Sequence, residues 1–178
     1  MKRLFILAWL VLAATPAGSA AQARIDLYAD AAMSGCEILD TGPMFLEVHM
    51  VYSGPAANAV RFRAPKPECW VGAMFVGDII PFISTGNSQL DLMIGFGDCL
   101  SGQVHMGFAR YYATGQAMTC CVLPVLPAFQ FVYSDCGYAE HPLAAGQSVV
   151  INPNEACRCQ QPLPTEPSTW GRVKSLYR

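Results

Sequence analysis

The sequence predicts an all-β fold: an antiparallel, immunoglobulin-like β-sandwich, stapled by disulfides and followed by a short C-terminal tail. Three observations predict it. Apolar residues recur with the period of two that strands require, turn-forming clusters interrupt them at roughly 8–15-residue intervals, and eight cysteines stand in a chain that opens on an export signal.

The opening comes first. Met1-Lys2-Arg3 precedes an apolar run over residues 4–14 and a small-residue stretch that ends Ala20-Ala21-Gln22-Ala23. Two cations, a short apolar core and a small-x-small exit make residues 1–23 a secretory signal peptide. Cleavage is expected after Ala23, with Ala20 and Ala21 as close alternatives. The apolar run falls short of the ~20 residues that cross a bilayer, so no membrane span is expected after cleavage. The expected address is beyond the inner membrane: periplasm, cell surface or extracellular space.

Residues 24–159 carry the strand signals. Ile25-Asp26-Leu27-Tyr28 opens the series. Leu46, Val48, Met50 and Tyr52 alternate with Glu47, His49 and Val51, and Val60-Arg61-Phe62-Arg63 repeats the alternation. Residues 70–76 form a more continuous apolar run that reads as a central strand. Leu90, Leu92, Ile94 and Phe96 alternate again, as do Val104, Met106 and Phe108; Phe129, Phe131 and Tyr133, then Val149-Val150-Ile151, close the set. Turns are expected at Asp40-Thr41-Gly42-Pro43, Ser53-Gly54-Pro55, Ser84-Thr85-Gly86-Asn87-Ser88 and Ala145-Gly146-Gln147.

The cysteines are Cys36, Cys69, Cys99, Cys120, Cys121, Cys136, Cys157 and Cys159. An even number in an exported chain predicts disulfides, and there is no Cys-x-x-Cys spacing for a metal. Adjacent strand residues face opposite ways, so Cys120 and Cys121 are expected to bond to different partners. Cys157 and Cys159 share a face at strand spacing and are expected to bridge outward rather than to each other.

After Cys159 the composition changes. Residues 160–169 hold Pro162, Pro164 and Pro167 and predict an extended linker. Residues 170–178 place Trp170, Val173, Leu176 and Tyr177 on one side of a short helix with Arg172, Lys174 and Arg178 outward, a segment suited to sorting or to docking on a partner. The export signal, the Cys120-Cys121-Val122-Leu123-Pro124 stretch and the closing Thr169-Trp170-Gly171-Arg172-Val173-Lys174-Ser175-Leu176-Tyr177-Arg178 string together resemble a group of small exported β-rich proteins of bacteria with an outer membrane. The resemblance implies that the terminal Trp-Gly-x-Val-Lys-x-Leu-Tyr string is a shared sorting or attachment element. It brings no activity and no catalytic residue.

Composition and motifs exclude more than they assign. Eleven basic residues stand against thirteen acidic ones, and nine against thirteen once Lys2 and Arg3 are removed, so no nucleic acid is an expected partner. In Val48-His49-Met50 and Val104-His105-Met106 neighbouring side chains face opposite ways, which breaks up a copper site, puts the methionines in the core and the histidines at the surface, and leaves no metal or cofactor expected. No Gly-x-Ser-x-Gly elbow marks a nucleophile, although His49, His105 or His141 remains available as a base in a secreted hydrolase. Trp70 beside Cys69 reads as core, and Tyr111 or Tyr112 as exposed rings able to stack on a glycan or peptide. The expected function is a non-enzymatic structural or interaction module, with glycan or peptide binding as the alternative.

Overall fold

The computed structural model describes residues 22–159. The signal peptide up to residue 21, the Pro-rich linker and the terminal docking segment with Trp170, Val173, Leu176 and Tyr177 lie outside the described residues.

The fold is all-β, and no helix occurs among the described residues. Its strands are β1 (Arg24–Tyr28), β2 (Glu37–Ile38), β3 (Pro43–Phe62), β4 (Trp70–Val71), β5 (Met74–Ile79), β6 (Ile83–Asn87), β7 (Asp91–Thr114), β8 (Gln116–Ala117), β9 (Cys121–Leu123), β10 (Val132–Asp135), β11 (Glu140–Pro142), β12 (Ala144–Ala145) and β13 (Val149–Ile151). The long strands β3 and β7 run antiparallel and organise the rest. Pro43 to Gly54 of β3 pair with the later part of β7, whose other edge takes β5, while β1 lies on the far side of β3. Ala57 to Phe62 of β3 pair with the earlier part of β7, which carries β6, and with β10. A separate β2-β13-β9 sheet faces the same interior. Pairing is antiparallel apart from the two-residue contacts β1–β12 and β2–β13.

One core joins these layers. Ile25 and Leu27 of β1, Met50 and Tyr52 of β3, and Met106 and Tyr111 of β7 meet Ile38, Leu123, Val149 and Ile151 of the third sheet. Trp70 is fully buried and stacks at 4.6 Å on Tyr111. Each large side chain so buried contributes about 1.5–3 kcal/mol. The result is a disulfide-stapled β-sandwich, immunoglobulin-like in the broad sense.

The cysteines form four bonds: Cys36–Cys159, Cys69–Cys121, Cys99–Cys136 and Cys120–Cys157. Neighbours Cys120 and Cys121 take different partners, as do Cys157 and Cys159. The last two lie beyond β13, in irregular chain that follows the turn at Glu155-Ala156, rather than on a strand.

Three expectations are corrected. The run over 70–76 is split at Gly72-Ala73 into β4 and the edge strand β5. Ser53-Gly54-Pro55 is no turn: β3 passes through it, with register shifts on either side of Ala57. Residues 83–87, read mostly as turn, form β6. A further device is the bulge at Met106-Gly107, opposite Met50. Gly107 sits at φ 117°, and a Cβ there would collide with the carbonyl of Ile79. Glycine thus lets β5 close on β7.

Asp78 of β5 points inward. Its Oδ2 accepts the Ser88 N–H at 2.7 Å, while Oδ1 is buried without a partner. Burial pushes this carboxyl above its ordinary value, against the hydrogen bonds from Ser88. A carboxyl whose folded pKa is raised costs stability as pH rises from the ordinary aspartate range through the folded value, and costs nothing below both. Asp78→Asn is therefore expected to raise the thermal midpoint by a few degrees at pH 7 and to lose that advantage near pH 3. Calorimetry of the two proteins across that range checks it; a gain that does not shrink with acid would count against the assignment.

Candidate docking face

Alternation on β5, β7, β3 and β1 sends one set of side chains to the core and the other to the outside of the same sheet. The outward set falls into rows fixed by register. Met74, Tyr112 and Phe45 form the first row, Arg110 and Glu47 the second, and Ile79, Phe108, His49 and Tyr28 the third. Phe45 is 62 % exposed and Met74 59 %; Val76, at the bulge of β5 beside the second row, is 55 % exposed. Large apolar side chains this exposed, side by side on one sheet, form a patch of the kind that marks an interaction surface.

Polar groups order the patch. Phe45 meets Tyr112 edge to face, with ring centroids 5.4 Å apart. Arg110 donates to Glu47 Oε1 at 2.7 Å and lies 5.3 Å over the Phe108 ring. The central ion pair is thus held flat between aromatic rows. At the β1 end, His49 Nδ1 lies 3.0 Å from His105 Nε2, and its other nitrogen stands 3.8 Å from Glu47. Burial first, then the neighbouring His105, holds His49 below the ordinary imidazole value, so it is neutral at pH 7.

The outer surface of the β6 half also exposes Ile83, Leu90 and Met93 beside the Arg61–Asp91 pair.

Several residues singled out in the sequence lie elsewhere. Tyr111 is not a ligand-stacking ring: it is 0 % exposed, packed on Trp70 and Phe75, and its hydroxyl accepts from Gln89 at 3.0 Å. Tyr112 is half-buried and does lie on the outer face. His49 is buried and His105 half-buried, so the expectation that both face solvent is corrected; Met50 and Met106 are in the core as expected. His141 pairs with Asp135 at 2.8 Å and stacks on Tyr133. The partners of the three histidines are thus each other, carboxylates and rings. Among the described residues no group of three or more His, Cys, Asp or Glu is placed to hold a metal ion.

Phe45, Met74, Val76 and Ile79 escaped the sequence reading. Their signal was present: after Gly72, Met74 and Val76 alternate with Phe75, and the carboxylate of Asp78 ends the apolar run. That pattern suits an edge strand with an apolar outer face better than a central one.

The β-sandwich fold is shared with solved cohesin structures. The chain is similar to a non-cellulosomal cohesin from the archaeon Archaeoglobus fulgidus, at 10 % identity and a TM-score of 0.51 over 76 % of this chain and 94 % of that one. It is also similar to the third cohesin of ScaC from Acetivibrio cellulolyticus, solved in complex with the ScaB dockerin, at 7 % identity and a TM-score of 0.50 over 73 % and 97 %. A cohesin of OlpA from Clostridium thermocellum, solved with a dockerin, matches at 8 % identity and 0.50 over 73 % and 99 %. At such identities the likeness shows the fold alone. No protein-family model and no curated protein sequence matches the chain.

Proposed function

We propose that this protein is an exported, non-enzymatic protein-interaction module that binds its partner through the outer face of β5, β7, β3 and β1. The observation that carries the reading is the contiguous exposure of Phe45, Met74, Val76 and Ile79 around the Arg110–Glu47 pair. The partner this suits is a protein presenting an apolar ridge, with polar groups placed to meet a salt bridge at its centre. The dockerin complexes of the cohesins support it, since they show a sandwich of this fold used for protein binding. The four disulfides support an oxidising address outside the cytoplasm. The terminal Trp-Gly segment would serve sorting or attachment.

One detail bears on export. Ala23 is buried in the core and its carbonyl accepts the Ala144 N–H at 2.9 Å, so cleavage after Ala23 would remove a residue that the fold uses. Cleavage after Ala20 or Ala21 fits the packing better.

The test is covalent capture from exported material of the producing organism, with wild type and Phe45→Asp compared. A partner captured by wild type, lost with Phe45→Asp and kept with the control Leu90→Asp is the expected result. Intact mass of the recovered wild type should place its first residue at Ala21 or Gln22. Equal capture by both variants would overturn the assignment of the face.

A further inference from the structure

We infer that the outer surface of the β6 half is a second binding site, a shallow cleft for a neutral glycan. The Phe129 ring is its stacking platform and the Arg61–Asp91 pair its polar centre. The site is separate from the docking face, and neither assignment depends on the other.

The cleft follows from register. Across β6, β7, β3 and β10 the outward residues Thr85, Met93, Arg61 and Val132 form one row. In the next row Gly95, Ala59 and Ser134 stand between Ile83 and Glu140. The small residues lower the floor, and the longer side chains beside them form walls. On one side of Arg61 and Met93 lies a hollow lined by Ala59, Ser134, Gln130 and Glu140. On the other, Thr85, Asn87 and Leu90 line a hollow of about 350 Å³. Together they cross three strand spacings, about 14 Å, which suits a short oligosaccharide better than a single sugar.

The groups along the cleft select the ligand. Phe129 is 85 % exposed, and the Arg61 guanidinium lies 5.5 Å from its ring centroid. Its loop is pinned: Leu126 and Arg63 exchange backbone hydrogen bonds, and Arg63 Nε donates to the Pro127 carbonyl at 2.7 Å. A held, uncovered ring offers a flat apolar surface to the C–H face of a sugar. Arg61 is itself fixed, donating from Nε to Asp91 Oδ1 at 2.9 Å, from Nη2 to Oδ2, and from Nη1 to Gln130 Oε1 at 3.4 Å. Asn87 Oδ1 accepts the amides of Gln89 and Leu90, which leaves its Nδ2 without a partner among the described residues. Donors and acceptors thus stand side by side, as vicinal hydroxyls require, because each hydroxyl both donates and accepts.

Charge and backbone disfavour other occupants. Arg61 and Arg63 balance Asp91 and Glu140, and the field of Glu140 reaches Arg61, so the cleft has no net charge to draw an anion or a basic segment. Here β3 lies between β7 and β10, and β7 between β3 and β6. Their main-chain groups are spent in the ladders, so an extended peptide crossing the cleft finds no strand edge to join.

Methyl NMR of the exported chain labelled at methionine tests it. The probes are cellohexaose, maltohexaose, laminarihexaose, mannohexaose and chitohexaose, with a galacturonate hexamer as the anionic counterpart. Met93 in the cleft is the reporter, and Met74 on the docking face the control. At least one neutral probe should shift Met93 saturably at millimolar concentration and leave Met74 in place; the galacturonate hexamer should shift neither. Phe129→Ala should weaken that binding by about tenfold with the thermal midpoint unchanged, and Phe129→Trp should retain it. Indifference of Met93 to every neutral probe overturns the proposal, as does binding that survives Phe129→Ala intact. A response to the galacturonate hexamer alone would make this an anion site and overturn it equally. Phe45→Asp should abolish partner capture and leave the Met93 response unchanged, so failure of either assignment is told apart from failure of the other.

Discussion

Replacing Cys69 and Cys121 together by alanine should lower the unfolding free energy by about 5 kcal/mol, the largest loss of any disulfide in the domain. The reason begins with connectivity. Cys36–Cys159, Cys69–Cys121 and Cys120–Cys157 are not independent loops. They close one ring through residues 36–69, 120–121 and 157–159, and opening any of the three opens that ring. Chain entropy alone assigns about 4 kcal/mol to a ring of roughly 40 residues, whichever bond is cut. Sequence separation, 123 against 52, would by itself rank Cys36–Cys159 above Cys69–Cys121. The shared ring removes that difference and leaves packing to decide. Cys36 and Cys121 are equally buried, and Cys69 and Cys159 are both half-buried, but only Cys121 and Cys69 pack in the core cluster that holds Trp70. Lost sulfur contacts then add about 1 kcal/mol at Cys69 and Cys121. Guanidinium unfolding of the two double variants measures the order. Equal losses, or a larger loss for Cys36→Ala with Cys159→Ala, would show that the core around Trp70 does not depend on its cystine.

How far the fold could be read in advance depended on what alternation encodes. A period of two assigns residues to two faces, and β1, much of β3 and β7 up to Met106 were legible that way, whereas the bulge at Met106-Gly107 turns Phe108, expected beside Met106, to the outer face. It does not say which face meets the core. Tyr111 and Tyr112 must point opposite ways, and only the fold decides that Tyr111 goes in. His49 illustrates the same limit, because in the middle of β3 the residues from Val48 to Tyr52 are all buried. Turn residues misled where they serve as bends. Gly54 is pressed against Ala23, and Pro55 falls where the ladder shifts register, so its missing N–H breaks no bond between aligned pairs. In β6, Gly86 at φ 81° was read as a turn signal although it is a strand position crowded by the Asp91 carbonyl. The docking face was the least legible part. It depends on register between β5, β7 and β3, which lie up to seventy residues apart, and no local pattern carries that information.

Asp40→Ala should cost about 3–4 kcal/mol and loosen the first row of the docking face. Asp40 lies just before β3 and is buried, with no ion pair to a cation among the described residues. Its charge is carried by donors: Gly115 N–H at 2.6 Å on Oδ1, and Ala117 N–H and the Trp70 indole N–H, each at 3.2 Å, on Oδ2. Asp40's own N–H donates to Asn152 Oδ1 at 2.9 Å, and Asn152 Nδ2 donates to the Ala117 carbonyl at 3.0 Å. One carboxylate thus ties the start of β3, the turn between β7 and β8, and the core tryptophan. Alanine leaves three donors unpaired, and each buried orphan costs about 1–3 kcal/mol, less where water reaches it. Asparagine retains one acceptor oxygen but turns an N–H₂ toward a donor, so Asp40→Asn should fall between wild type and alanine. The functional consequence follows from position. Pro43 pairs with Thr114 and Phe45 with Tyr112, so the row that ends the face is anchored within a few residues of Asp40 and Gly115. Amide exchange should quicken at Gly115 and Ala117 before global unfolding, and capture of the partner should weaken in Asp40→Asn at temperatures where the domain is still folded. Denaturant curves for both variants that lie within 1 kcal/mol of wild type would mean that the carboxylate is a bystander and that packing alone holds this end of the sheet.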